Sequence, residues 1–388
     1  MTDLFDRYRV IDVDSHVSEP ADTWSARVER RFRDAAPRLR TDPKSGKEVW
    51  WIAGEPVLPV GMTAVAGFDG ILPECPDTMA DVPPASHDPH ERLAYLDREG
   101  IWAQVLYPNV GGFGSGAFLK LREPELMLAC VRAYNDMILE WAATDPKRLV
   151  PIMATPFWDV EAAVREIERC AAAGHRGVLF GSQPQAFGEP ELADPHWDPI
   201  WAATQATGLP ISFHIGSGTG LDIRGASLIG FRAQIARISA NAFVENERCL
   251  ADIIFGGVCH RFPELKFVSV ESGVGWLVFA IEAFDWQWIN GGLRREHPEY
   301  DLLPSEYFRR QIYGCFWFEE AGLAKALELY PDNLLYETDF PHPTSMSVGP
   351  QSAARHPREY AAAALAGVPD DVLAKVLHDT AARLYGLD

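Results

Sequence analysis

Short runs of β-branched and other apolar residues recur along the chain at 9–14 (RVIDVD), 102–107 (WAQVLY), 149–154 (LVPIMA), 177–181 (GVLFG) and 209–215 (LPISFHI). Three more follow at 265–270 (LKFVSV), 311–316 (QIYGCF) and 333–337 (NLLYE). Between them lie helix-length amphipathic stretches, among them ERLAYLDREG, PELMLACVRAYNDMILEWAA, VEAAVREIERCAAAG and PIWAATQATG, several stopped by glycine just before the next strand. Strands alternating with helices predict a parallel sheet, and eight is the strand number that closes into a barrel. The expected fold is therefore α/β, a single (β/α)8 barrel over residues 1–388.

Residues 18–87 interrupt the alternation with a proline- and tryptophan-bearing insert (SEPADTW, WWIAGEPVLPV). A structureless loop of that length is uncommon inside a compact domain, so the segment is expected to fold as a small hairpin or cap over the barrel mouth. Its Trp24 and Trp50 are then expected to influence substrate affinity. The glycine-rich stretch 216–232 reads as a loop approaching a ligand, and 357–386 as two helices closing the barrel. No repeat or low-complexity tract is present in the sequence.

With 388 residues, 47% of them hydrophobic, the chain has enough apolar side chains for a large core. A formal net charge of -20 argues against nucleic acid or an anionic membrane surface as partner and leaves a small-molecule substrate as the expectation. No apolar run is long enough to span a bilayer, and the start MTDLFDRYRV lacks a signal peptide's apolar core, so a cytoplasmic location is expected. The six cysteines contain no CxxC pair and read as free buried thiols.

The chemistry concentrates at strand ends. Period two along the first strand points Asp14 and His16 to one face, at the end where barrel active sites gather. His214 ends the fifth strand before glycines, and Asp339 follows the eighth in YETDFPHP. Two carboxylates and two imidazoles suit zinc, manganese or iron without choosing among them.

IDVDSHVSEP, ISFHIG, LKFVSVESGVGWL and YETDFPHP, in this order and spacing, resemble the amidohydrolase superfamily, specifically its branch related to aminocarboxymuconate semialdehyde decarboxylase. The resemblance spans nearly the whole chain. It implies a barrel enzyme with one divalent metal, acting as a hydrolase or non-oxidative decarboxylase on a small carbonyl or carboxylate compound. By position it makes Asp14, His16, His214 and Asp339 the ligands, with Asp339 also handling protons. Two departures stand out. Asp14 replaces the first histidine of the HxH found in many relatives, and Glu271 stands where decarboxylase-type relatives carry a histidine that acts on the substrate.

Glu271 is thus read as a general acid/base, or as a ligand to a second metal ion, against an ion pair with Arg224 or Arg232. Glu19 is a further candidate ligand, and His342 a catalytic or substrate-facing one. A carboxylate-rich site also admits an oxygen-dependent non-heme (di)iron hydroxylase, for example of a terpenoid thioester, and a barrel without chemistry is the non-enzymatic alternative. His260 reads as a helix end, His87 and His90 as a helix start, and Trp158, Trp286 and Trp288 as surface packing or an interface between copies in a homo-oligomer, with the wall of a bulky apolar substrate pocket as the alternative.

Overall fold

The computed structural model describes residues 3–218, 225–346, 349 and 352–387. Among these residues, eleven strands form two sheets. Eight are parallel, β1 (Val10–His16), β5 (Ile101–Tyr107), β6 (Leu149–Ala154), β7 (Gly177–Leu179), β8 (Ile211–His214), β9 (Phe267–Val270), β10 (Ile312–Phe316) and β11 (Leu334–Tyr336), paired in that order. The ring closes between its first and last members. Ser15 bridges Phe340, the Asp339 amide donates to the Asp14 carbonyl at 3.0 Å, and the His16 amide donates to the Phe340 carbonyl at 2.7 Å. Every predicted strand is present in this barrel.

The helices between strands start and stop where their end chemistry dictates. Asp88 caps the helix Pro89–Glu99 by accepting from the His90 and Glu91 amides, with Pro89 in its first turn, and Gly100 ends it at φ 74°. Asp159 caps Val160–Ala173 in the same manner, and Gly174 stops it at φ 114°. Both glycines adopt a left-handed backbone that a residue with a Cβ resists, which turns the chain directly into the next strand.

Apolar strand residues, among them Ile11, Val13, Val105, Ile152, Leu179, Val268 and Leu335, fill the barrel, and Tyr107 donates or accepts across it to Ser212 at 2.9 Å. Ala381, Ala382 and Tyr385 of the last helix, with Leu387 just beyond it, belong to the same cluster, so the C-terminal segment plugs the barrel. A larger cluster lies between the strands and the surrounding helices.

The insert contains an antiparallel sheet of β2 (Arg38–Thr41), β3 (Glu48–Ile52) and β4 (Glu55–Pro59). Its Trp24 and Trp50 point into the protein. Trp24 and Trp50 are buried, meet edge to face at 5.0 Å, and Trp24 packs on Phe118 while its indole N–H donates to the Cys130 carbonyl. Their role is to seat the insert on the helix Pro124–Ala142. Trp24→Ala is accordingly expected to cost about 3–5 kcal/mol of stability in urea denaturation and to leave metal affinity unchanged. A melt like the wild type's would show that this seat contributes little.

The stretch 216–232 also departs from expectation. Residues 219–224 lie outside the described part, but Ala226–Ile229 is helical and a second helix, Phe231–Asn241, follows. Leu228 is 87% exposed there, so no buried apolar stripe signals a helix in the sequence.

Candidate metal centre

At the C-terminal rim of the strands, imidazole nitrogens and carboxylate oxygens converge among buried side chains. β1 pairs with β5 through a register irregularity between Asp12 and Ser15. Asp12 therefore bonds Gln104 and Thr338 on one side, while Asp14 and His16 turn to the rim. His16 Nε2 lies 3.4 Å from Asp14, 3.3 Å from Asp339 and 3.3 Å from His214 Nε2. His214 Nε2 is 3.6 Å from Asp14, and His342 Nδ1 is 2.9 Å from Asp339.

These groups gather as three overlapping triplets capable of holding a metal ion: Asp14, His16 and His214; His16, Asp339 and His342; and Asp14, Glu271 and Asp339. The structure thus brings Asp14, His16, His214, Asp339, Glu271 and His342 together. Glu19 is outside the triplets. It is buried beside them, and its Oε1 accepts from the Asn109 and Val110 amides, fixing the loop that follows β5.

The hydrogen bonds settle which nitrogens face inward. A carbonyl oxygen only accepts, so His16 Nδ1 donates to the Pro108 carbonyl (3.1 Å) and His214 Nδ1 to the Ile215 carbonyl (2.8 Å). The Asn109 Nδ2 donates to the Val17 carbonyl, which turns its Oδ1 toward His342 Nε2 at 2.8 Å. All three imidazoles are thereby anchored through the outer nitrogen, leaving a lone pair directed at the carboxylates, the arrangement characteristic of metal-ligating histidines. Both Asp14 oxygens and Asp339 Oδ1 are buried with no hydrogen-bond partner. Orphaned anionic oxygens facing imidazole lone pairs fit a divalent cation, which satisfies both.

Two of the carboxylates sit on unusual backbone. Glu271 and Asp339 have φ of 55° and 57°, the left-handed region, at a cost of roughly 1–3 kcal/mol each. Strain of this kind persists where the side chain's placement matters.

Electrostatics separates the acids. Burial raises every carboxyl here, but His214 and His16 outweigh it at Asp14, and His342 and His16 outweigh it at Asp339, so both lie below the ordinary carboxylate value. Glu271 has burial reinforced by the charges of Asp339, Asp14 and Glu337 and is pushed well above it. His16 shows the counterpart: burial lowers it, Asp14 and Asp339 more than reverse that, and it rises to about 9.

The basic partners weighed for Glu271 are not its neighbours. Arg232 pairs with Glu74 and donates to the Leu72 carbonyl, and Arg224 lies outside the described residues. Glu271 instead lies 3.6 Å from His214 Nδ1 and accepts from the Thr344 hydroxyl, which also reaches Asp339, both at 3.3 Å. Its backbone amide donates to Glu337, another buried carboxylate pushed well above its usual value, by burial first.

Sequence reasoning passed over Asn109, Phe113, Glu337 and Thr344. Phe113 covers the imidazoles, 3.9 Å from the His214 ring and 5.1 Å from that of His16. The available signal was position, since each lies a few residues beyond a strand. His90 begins a helix and His260 lies in one, as expected. Trp288 is buried, Trp158 packs on Phe157, and Trp286 is exposed on the helix Gly275–Asn290.

Glu19 offers a test of this burial. Its carboxyl is raised to about 7 by burial, against the amides of Asn109 and Val110 that favour the charged form. Because the folded value exceeds the unfolded one, its contribution is complete below about pH 4.5 and is lost as pH rises through 7, by roughly 3 kcal/mol. Glu19→Gln should therefore gain stability relative to wild type between pH 5 and pH 8 in paired urea melts. A pH-independent difference would mean Glu19 stays ionised.

The sequence family described as amidohydrolase matches residues 11–387. The chain is 26% identical over 269 residues to 2-amino-3-carboxymuconate-6-semialdehyde decarboxylase of Dictyostelium discoideum, covering 66% of this chain and 67% of that protein. Among solved structures, an amidohydrolase of Mycobacterium avium subsp. paratuberculosis K-10 superposes with a TM-score of 0.74 at 23% identity, over 98% of this chain and 99% of the other. A 5-carboxyvanillate decarboxylase of Novosphingobium aromaticivorans DSM 12444, solved with bound manganese, gives 0.67 at 17% identity, over 98% and 97%. Among the described residues, no helix is long and apolar enough to cross a membrane.

Proposed function

Given that the chain belongs to the amidohydrolase family, we propose that it is a divalent-metal-dependent lyase that removes carbon dioxide, without oxidation, from a small aromatic or otherwise unsaturated carboxylate. The observation that carries this reading is the pairing of a cation-ready donor set with one buried acid beside it whose surroundings favour its protonated form. Asp14, His16 and His214, with Asp339, would hold the cation, which when bound anchors and polarises a substrate oxygen. The carboxylate-bearing substrates named for two relatives, an aminocarboxymuconate semialdehyde and a carboxyvanillate, support the substrate class.

Glu271 acts as general acid. Burial and the charges of Asp339, Asp14 and Glu337 favour its protonated form, which is the form a general acid needs, and it is the least enclosed of the converging carboxylates at 8% exposure. As the bond from the carboxyl group to the substrate carbon breaks, its electron pair stays on that carbon, carbon dioxide departs, and the Glu271 proton takes the vacated position. Water then restores the proton. Phe113 excludes solvent from the imidazoles, and Thr344 holds the Glu271 carboxyl in register with Asp339. The insert 18–87 forms part of the wall of the mouth, a role supported by the Val65 amide donating to the Pro341 carbonyl just after Asp339.

The test is carbon dioxide release from a panel of hydroxybenzoates and unsaturated carboxylates by the manganese-loaded protein under strict anaerobiosis, in deuterated water. Release with one deuterium at the vacated carbon is expected. Hydrolysis of amides or esters without carbon dioxide, or turnover that stops without oxygen, would reject the reading.

A further inference from the structure

The three inward-facing imidazoles do not converge on one point. His16 and His342 stack face to face, with centroids 3.6 Å apart and planes 16° from parallel. A cation bound to an imidazole lies along the nitrogen lone pair, in the ring plane, at about 2.1 Å. Two nearly parallel planes at this separation share no such position, so an ion in the plane of His16 is out of plane for His342. By spacing alone His16 can accompany either His214 with Asp14 or His342 with Asp339; it is the parallel ring planes that separate the two positions.

The His342 lone pair nevertheless has a destination. Asn109 takes the proton of Nε2 as a hydrogen bond, and its amide is itself fixed by the Val17 carbonyl. Nδ1 then faces Asp339 Oδ1 at 2.9 Å, where a neutral imidazole nitrogen and a carboxylate oxygen would oppose each other lone pair to lone pair. That oxygen is buried and has no hydrogen-bond partner. Two ligand atoms adjacent on one ion sit roughly 3 Å apart, which matches this pair. Asp339 Oδ1 also lies 3.3 Å from His16 Nε2, between the two rings.

We propose that this rim holds two cations, the second bound by His342 Nδ1 with Asp339 bridging to the first, and that Asn109 is the positioning residue that fixes the His342 tautomer. The inference rests on the reading that Asp14, His16 and His214 hold the first cation. It gives Asn109 its function and Glu19 an indirect one, since Glu19 pins the Asn109 and Val110 amides. The second position is completed by water or substrate oxygen, leaving Glu271 free to carry its proton.

Titration of the metal-free chain with Mn(II) alone, followed by metal analysis and electron paramagnetic resonance, tests it. The wild type is expected to bind about two ions with the spectrum of an exchange-coupled pair, consistent with a spacing near 3.5–4 Å. His342→Ala should keep one ion with an uncoupled spectrum. Asn109→Ala should weaken the second ion about 10- to 100-fold and leave the first unchanged, the usual effect of removing a ligand's hydrogen-bond partner; it carries the test if His342→Ala does not fold, as judged by circular dichroism. One ion in the wild type would overturn this inference and leave the proposed function standing. No ion would overturn both. About two ions in wild type and His342→Ala alike would place the second ion elsewhere and reject the role of His342.

Discussion

His214→Ala should lose at least about 10³-fold in turnover and most of its bound metal, while far-UV circular dichroism stays close to the wild type's. Removing one imidazole from the set Asp14, His16, His214 and Asp339 leaves three of the four proposed ligands, and the several kcal/mol that a bound cation contributes to charge stabilisation correspond to a factor of that size. The fold is expected to tolerate the change because the outer nitrogen bonds only the neighbouring Ile215 carbonyl, so no distant buried group loses its partner. Asp339→Asn approaches the same centre from β11. Asparagine accepts the left-handed backbone at φ 57° more readily than most residues, so this change removes charge without adding strain. Full activity and metal content in either variant would remove Asp14, His16, His214 and Asp339 from consideration as a metal centre.

Glu271→Gln should lower turnover by about 10²- to 10⁴-fold with metal content unchanged, because the amide keeps the shape of the side chain and cannot deliver the proton. The same variant should be more stable than wild type when metal-free. Wild-type Glu271 has a folded value raised above its unfolded one, so its contribution is present below about pH 4.5 and lost as pH rises, whereas glutamine does not titrate. Loss of an ion from Glu271→Gln would make Glu271 a ligand instead of the acid. Retained turnover would leave the proton to another donor.

The barrel was legible because its signals are local. Each strand is a short apolar run, and Gly100 and Gly174 end their helices where the sequence places them. Strand limits were less legible. The run 333–337 shortens to Leu334–Tyr336, since Asn333 spends its side chain on the carbonyls of Phe308, Arg309 and Ile312, and Glu337 turns toward Glu271. The candidate site was legible where chemistry sits at a strand end, as at Asp14, His16, His214, Glu271 and Asp339. Glu19 lies outside the triplets because nearness to His16 in sequence says nothing about the loop 90 residues away that its carboxylate pins; that pairing is tertiary. Asn109 and Thr344 went unnoticed for the same reason: Asn109 meets His342 only when β5 and β11 flank β1, and Thr344 meets Glu271 only when β9 and β11 share the rim.

The most direct test of the account is the metal content of the chain purified without added metal, measured beside its activity before chelation, after chelation and after reloading with manganese. At least one divalent ion per chain is expected, with activity lost on chelation and restored on reloading. Full activity in a chain stripped of metal would contradict the account at its centre.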